Sequence, residues 1–232
     1  MRIIALTLLS KNIHAQRHFY HDVLNLPIID ETANRLAVQI GTTVLHLEQS
    51  EHHQPYHYAF NILEHQIAEG EAYLRERDII PMQNPTVPGR VTFTGSSRWN
   101  SHGLYFPDAD GNILEFIARH DIPSDTTTTD FTVDSILNIS EIGLGVPQVL
   151  RTSQFLQQEL SMDVYSGYGS ETFTAMGDEH GLLILVPNGR IWMPTEGTIH
   201  ECRAYPVKTK IQVAGLQKVL QLPDLPYFLE PA

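Results

Sequence analysis

Two polar side chains stand where strand periodicity calls for apolar ones. His46 sits inside Val44-Leu-His-Leu47, on the same face as Val44 by two-residue alternation. Glu115 lies likewise between Ile113 and Ile117. A carboxylate on an apolar face is costly unless it finds a partner, a metal ion or a raised pKa. Arg98 and Arg119 are candidate partners for it; alone, His46 reads as a satisfied strand histidine. Tyr105 shares a strand face with Gly103, and Trp99 and Ser101 continue that face, so the three read as one wall of a pocket. Asp108-Ala-Asp-Gly-Asn112 is a turn and not a calcium loop, because Gly111 comes too early and no glutamate closes it. The chain carries no nucleophile elbow, P-loop or dinucleotide fingerprint, and Cys202 has no spacing that argues for a nucleophile.

The elements that must carry these residues form tandem units. Ile3 to Leu9 reads as a strand, and Asn12 to Asn25 as a helix with Ile13, Tyr20 and Leu24 on one face. Arg35 to Ile40 and Thr43 to Glu48 read as strands split by Gly41. A second unit follows: strand His57 to Leu63, helix Glu64 to Arg77 with a Glu71–Arg75 pair, then strands Val91 to Thr94, Gly103 to Phe106 and Ile113 to Ala118. Polar residues 121–137 read as a linker. The pattern then repeats: Phe19, Leu24 and Leu26 recur as Phe155, Leu160 and Met162. Val44 to Leu47 recurs as Leu182 to Leu185, and a fourth, truncated unit holds Val207 to Val213. One such unit is too small to bury a core, so units must pair. The expected domains are 1–120, two paired units, and 138–232, one unit plus the truncated one.

The segment Tyr105-Phe-Pro-Asp-Ala-Asp-Gly-Asn-Ile-Leu-Glu-Phe116 resembles the strand, Asp-Pro-Asp-Gly turn and glutamate-bearing strand of the vicinal oxygen chelate superfamily, with Ala109 in place of the usual proline. Phe19-Tyr-His-Asp-Val-Leu-Asn-Leu-Pro27 resembles its helix ending. That superfamily includes glyoxalases, ring-cleaving dioxygenases, fosfomycin-resistance enzymes and bleomycin-binding proteins. The resemblance covers residues 1 to 120 well, 138 to 187 moderately and the tail poorly. It implies an α+β fold of tandem βαβββ modules forming a curled mixed β-sheet cup with helices outside.

The resemblance also implies metal ligands from the first and last strands of two paired units, here Ala5, His46, His57 and Glu115. Three of these four positions can ligate: His46, His57 and Glu115 form the expected set. Two histidines and a carboxylate favour Fe2+, and Zn2+, Mn2+ and Ni2+ also accept them. Tyr105 would then donate a hydrogen bond or act as an acid, with Trp99 and Ser101 contacting substrate. In the second half the corresponding positions hold Glu141 and Ile184 with no clear pair, so the metal site there is expected to be lost. The expected activity is that of a ring-cleaving dioxygenase; a glyoxalase-type or thiol-transferase-type lyase or isomerase and a metal-free small-molecule binder stay open.

Composition narrows the partners. With 15 basic and 27 acidic residues in 232, the formal charge is −12, which argues against nucleic acid or an anionic membrane surface. A single cysteine excludes an internal disulfide framework. The amino-terminal apolar run lacks a small-residue cleavage site and reads as a strand, and no stretch is long enough to span a bilayer. The expectation is a soluble cytoplasmic protein with a small-molecule substrate, a homodimer being left open.

Overall fold

A computed structural model describes residues 1–124, 128–192, 194, 200–213 and 215–232. The first unit contains β1 (Arg2–Ser10), α1 (Ile13–Arg17) running into a π-helical turn (His18–Val23), then β2 (Ile28–Thr32), β3 (Arg35–Ile40) and β4 (Thr43–Gln49). Asn12 caps α1 by accepting from the Ala15 amide at 3.0 Å, and Asn25, at φ 57°, ends the helical stretch. The second unit contains β5 (His57–Ile62), α2 (Ile67–Arg75), β6 (Thr92–Thr94), β7 (Ser101–Pro107) and β8 (Ile113–Arg119). The third contains β9 (Ile136–Val146), α3 (Val149–Leu160), β10 (Val164–Gly169), β11 (Thr174–Asp178) and β12 (Gly181–Pro187). The truncated fourth contributes β13 (Val207–Gln212), β14 (Leu220–Gln221) and β15 (Tyr227–Pro231).

These strands form two curled mixed sheets. One has the order β14-β15-β13-β1-β4-β3-β2, the other β10-β11-β12-β9-β5-β8-β7-β6. The α+β architecture agrees with the sequence reading, but the units pair differently. Residues 1–120 do not close on themselves. The second unit joins the third through antiparallel β5 and β9, and the first joins the fourth through antiparallel β1 and β13. The reason lies in burial: β5 is covered along its whole length, with β8 on one edge and β9 on the other. The segment expected as a linker, of which 125–127 lie outside the described residues, therefore connects two sheets that each draw strands from both sides of it.

A single large core is shared by both sheets, and the helices pack on its outer faces. Leu156 and Leu160 of α3 meet the same core as Leu183 and Leu185 of β12, and Tyr73 and Leu74 of α2 meet it beside Phe116. Phe116 also touches Phe106 and Phe131, with ring centroids 4.8 and 5.3 Å away. Each such side chain contributes about 1.5–3 kcal/mol by leaving water. A second, smaller apolar cluster, with Ile113, Ile184, Val186 and Trp192, lies on the opposite face of the eight-stranded sheet.

The turn Asp108–Asn112 locks the first unit to the second. The buried Asp108 carboxylate accepts from the amides of Asp110 and Asn112, both at 2.9 Å, and from Gln16 Nε2 of α1 at 2.8 Å. Asp110 reaches back to Ser10 Oγ at 2.6 Å. Burial pushes the Asp108 carboxyl above its usual range. Among the described residues, no helix is long and apolar enough to cross a membrane.

This pairing makes a concrete prediction. A chain cleaved between residues 124 and 128 should retain its far-UV spectrum and run as one species under native conditions. The fragment 1–124 alone should lose cooperative unfolding, because β5 and β1 each lose a partner strand. A cooperative urea transition from that fragment alone would contradict the pairing.

Candidate metal centre

The inner face of the eight-stranded sheet is built from one row of residues. Strand register sets Tyr105 of β7 opposite Glu115 of β8, Glu115 opposite Ala59 of β5, and Ala59 opposite Glu141 of β9. Ala59 has almost no side chain, so the two flanking carboxylates lean over it toward each other. His57 lies two residues along β5 on the same face. One ligand atom each from His57, Glu115 and Glu141 falls within 4.8 Å of the others. Ile184 of β12 completes the lining. These are the four first-strand and last-strand positions of the two units that do pair. One of them, Ile184, cannot ligate.

His57 is presented as a ligand. Its Nδ1–H donates to the Ile113 carbonyl at 3.0 Å, which leaves Nε2 as the lone-pair nitrogen. Nε2 faces Glu115 Oε2 at 3.8 Å, too far for a hydrogen bond. Burial lowers the imidazole pKa to about 4, and the nearby Arg190 charge pushes the same way, against the hydrogen bond to Ile113. The ring is therefore neutral at pH 7.

Burial, then the Glu141 charge, raises Glu115 well above the usual carboxylate range, against a hydrogen bond from the Tyr105 hydroxyl and the Arg119 charge. Gly103 leaves the room this needs, since a methyl group there would overlap Glu115 Oε1. Burial also raises Glu141, but Arg119 opposes it through an ion pair between Nη2 and Glu141 Oε1. Arg119 is itself buried, and its Nε donates to Asn61 Oδ1 at 3.1 Å.

The donor set suits a divalent cation. It offers one neutral imidazole and two carboxylates, one of them already balanced by a guanidinium. Donors held about 2.1 Å from a shared ion lie about 3 to 4.2 Å apart, so a contraction of a few tenths of an ångström closes the set.

The three residues open on a cavity of about 530 Å³. Trp99, Ser101 and Tyr105 line it, as do Phe173, Arg190 and Trp192. The Trp192 indole covers Gly143, where a Cβ would collide with it, and its ring lies 5.0 Å from that of His57.

His46 is not part of this centre. It lies on β4 of the seven-stranded sheet, between Thr7 and Ala37, half-buried, and outside the cavity lining. The expected convergence of 46, 57 and 115 is thus corrected: His57 and Glu115 meet, and Glu141 occupies the place assigned to His46, because the second unit pairs with the third. Glu141 was visible in the sequence as a first-strand position, on the face of Gly143 and Gly145. Arg119, a candidate partner of Glu115 in the sequence, pairs with Glu141 instead, and Arg190 carried no sequence signal.

No family model matches the sequence, and no curated protein matches it. Solved structures do match in shape. A "putative dioxygenase" from Bacillus subtilis superposes with a TM-score of 0.63 at 16% identity, covering 91% of this chain and 70% of that one. A mutant of glyoxalase I from Zea mays gives a TM-score of 0.57 at 13% identity, covering 99% of this chain and 92% of that one. A second mutant of the same maize enzyme gives 0.53 at 13%, covering 90% and 75%. The chain shares its fold with these three structures.

The buried carboxylates set a prediction with two signs. A carboxyl raised in the folded state adds stability below its unfolded pKa and loses it as pH rises through the folded value. Metal-free Glu115→Gln should therefore melt a few degrees above the metal-free wild type at pH 8, with the gap closing toward pH 4.5. Added Mn2+ or Zn2+ should stabilise the wild type and leave the variant unmoved. Calorimetry with and without chelator checks both signs.

Proposed function

We propose that this chain is a divalent-metal-dependent enzyme that acts on a small organic molecule bearing neighbouring oxygens, by proton transfer of the lyase or isomerase kind. The observation that carries this reading is the convergence of His57, Glu115 and Glu141 on the floor of one aromatic-walled cavity. The cavity's volume is in the range of small-molecule sites. His57 Nε2 and one oxygen from each glutamate would hold the ion. Bound there, a divalent metal supplies a Lewis acid for two adjacent substrate oxygens and for the negative charge that develops on them.

The chain's own residues divide the remaining work. Glu115 Oε2 faces His57, whereas Oε1 lies over Gly103, which lines the cavity. Oε1 is thus the oxygen placed to take a proton from the substrate and return it to a neighbouring atom. Tyr105 donates to the same carboxylate and keeps it oriented; burial and the Glu115 charge hold its hydroxyl protonated. Arg119 holds Glu141 in place. Trp99 and Trp192 shield the floor from bulk water.

The ring-cleaving reading rested on a second histidine, and the centre contains one imidazole and two carboxylates. That set is harder than two histidines and a carboxylate, and it moves the weight from Fe2+ toward Mn2+, Zn2+ or Ni2+.

Elemental analysis after purification without chelators should find about one divalent ion per chain. His57→Ala and Glu115→Gln should lose it, and His46→Ala should keep it. Turnover of vicinal oxo and hydroxy compounds should proceed without oxygen uptake and fall about a hundredfold or more in Glu115→Gln. Oxygen consumption with Fe2+ alone would return the assignment to a dioxygenase. A metal-free chain that still binds such compounds would make it a binding protein.

A further inference from the structure

The cavity wall holds a cation that neither the metal centre nor the proton transfer uses. Arg190 follows β12 on a tight turn fixed from both sides: its amide donates to the Pro187 carbonyl at 3.1 Å, and its carbonyl accepts from the Cys202 amide at 2.7 Å. Its side chain is held too. Nη1 donates to the Thr172 carbonyl at 2.7 Å, and the guanidinium lies 5.3 Å from the centre of the Phe173 ring. Among the described residues, no carboxylate lies within ion-pair distance of it. Arg119, by contrast, is engaged with Glu141 and Asn61, and Arg98 lies over Tyr168, outside the cavity lining. A half-buried guanidinium held in place without an anion is poised to receive one.

The charge balance points the same way. With both glutamates ionised as metal ligands, Arg119 and Arg190 balance them, and the cavity is close to neutral before the ion is counted. A divalent ion on the three ligands would make it positive, although the whole chain carries −12. A neutral substrate would leave that excess charge desolvated, whereas an anion would offset it.

We propose that Arg190 binds the carboxylate of the substrate, so that the cavity selects a small organic acid. The carboxylate pairs with the guanidinium, the apolar body lies against Trp99, Phe173 and Trp192, and the reacting oxygens face Glu115. This substrate class rests on the reading of the cavity as the substrate site of a metal enzyme. A phosphate ester is the less favoured occupant, because among the described residues the wall offers one guanidinium and no helix amino terminus.

The chain's two tryptophans both line the cavity, so intrinsic fluorescence reports its occupancy without any turnover. Benzoate, phenylacetate and 3-phenylpropionate are titrated into the Mn2+-supplemented protein against their amides and phenyl phosphate. At least one acid should bind about tenfold or more tightly than its amide, the usual scale for a charge-assisted pair. In Arg190→Gln the preference should fall to about twofold or less with amide affinity unchanged, and Arg190→Lys should keep part of it. Equal binding of acids and amides, a preference that survives in Arg190→Gln, tighter binding of phenyl phosphate, or no quenching by any probe would each overturn the proposal. Mn2+ binding is measured in parallel. Acid selection by a protein that binds no Mn2+ would refute the metal reading alone. Mn2+ binding without acid selection would refute this proposal alone.

Discussion

Two carboxylates are buried side by side across Ala59, and the rest of the site answers to that fact. With ligand atoms within 4.8 Å, two full charges would repel by about 3 to 4 kcal/mol at an effective dielectric of about 20, before any desolvation is counted. Arg119 cancels one of them. The other must hold a proton or share a cation: burial first, and the Glu141 charge second, raise Glu115 well above its ordinary range in the metal-free chain. A protein that needed only stability would place apolar residues in this row. Keeping the carboxylates here destabilises the empty fold and creates affinity for a positive ion.

The strand register is what makes that juxtaposition possible. A one-residue slip of β9 against β5 would turn Glu141 to the helix-packed face, where Ile142 and Leu144 now fill the core. The hydrophobic faces of β5 and β9 thus hold the glutamates in position indirectly. On the cavity side the supports are smaller: Gly103 yields space to Glu115, Gly143 yields space to Trp192, Tyr105 donates to Glu115, and Asn61 accepts from Arg119. Each support lies on a strand, so the side chains that would touch the ion inherit the rigidity of the sheet.

The seven-stranded sheet repeats the architecture without the chemistry. Ala5 and His46 take the positions that His57 and Glu115 take in the other sheet, and the truncated fourth unit brings Lys208 and Lys210 beside β1. One of its links to the sheet that carries His57, Glu115 and Glu141 is the Asp108 network, where Gln16 and Ser10 of the first unit reach the turn before β8. That turn leads into the strand carrying Glu115, so the first unit braces one wall of the site.

Much of this was legible in the sequence because it is local. Two-residue alternation placed Glu115 on an inward face, a cap at Ser10 or Asn12 and a stop at Asn25 bounded a helix, and the repeat of Phe19, Leu24 and Leu26 at 155, 160 and 162 revealed the tandem units. The same repeat made 141 equivalent to 5 and 184 equivalent to 46, and the family resemblance added 57 and 115. What it did not contain was the choice of partner. Units of the same pattern can pair with either neighbour, and that choice depends on how whole faces fit: the fully buried β5 against β9, and β1 against β13. Those contacts join residues more than 70 positions apart and leave no periodic trace. Local physics therefore determined which side chains point inward, and only the tertiary pairing decided that Glu141, rather than His46, meets His57 and Glu115.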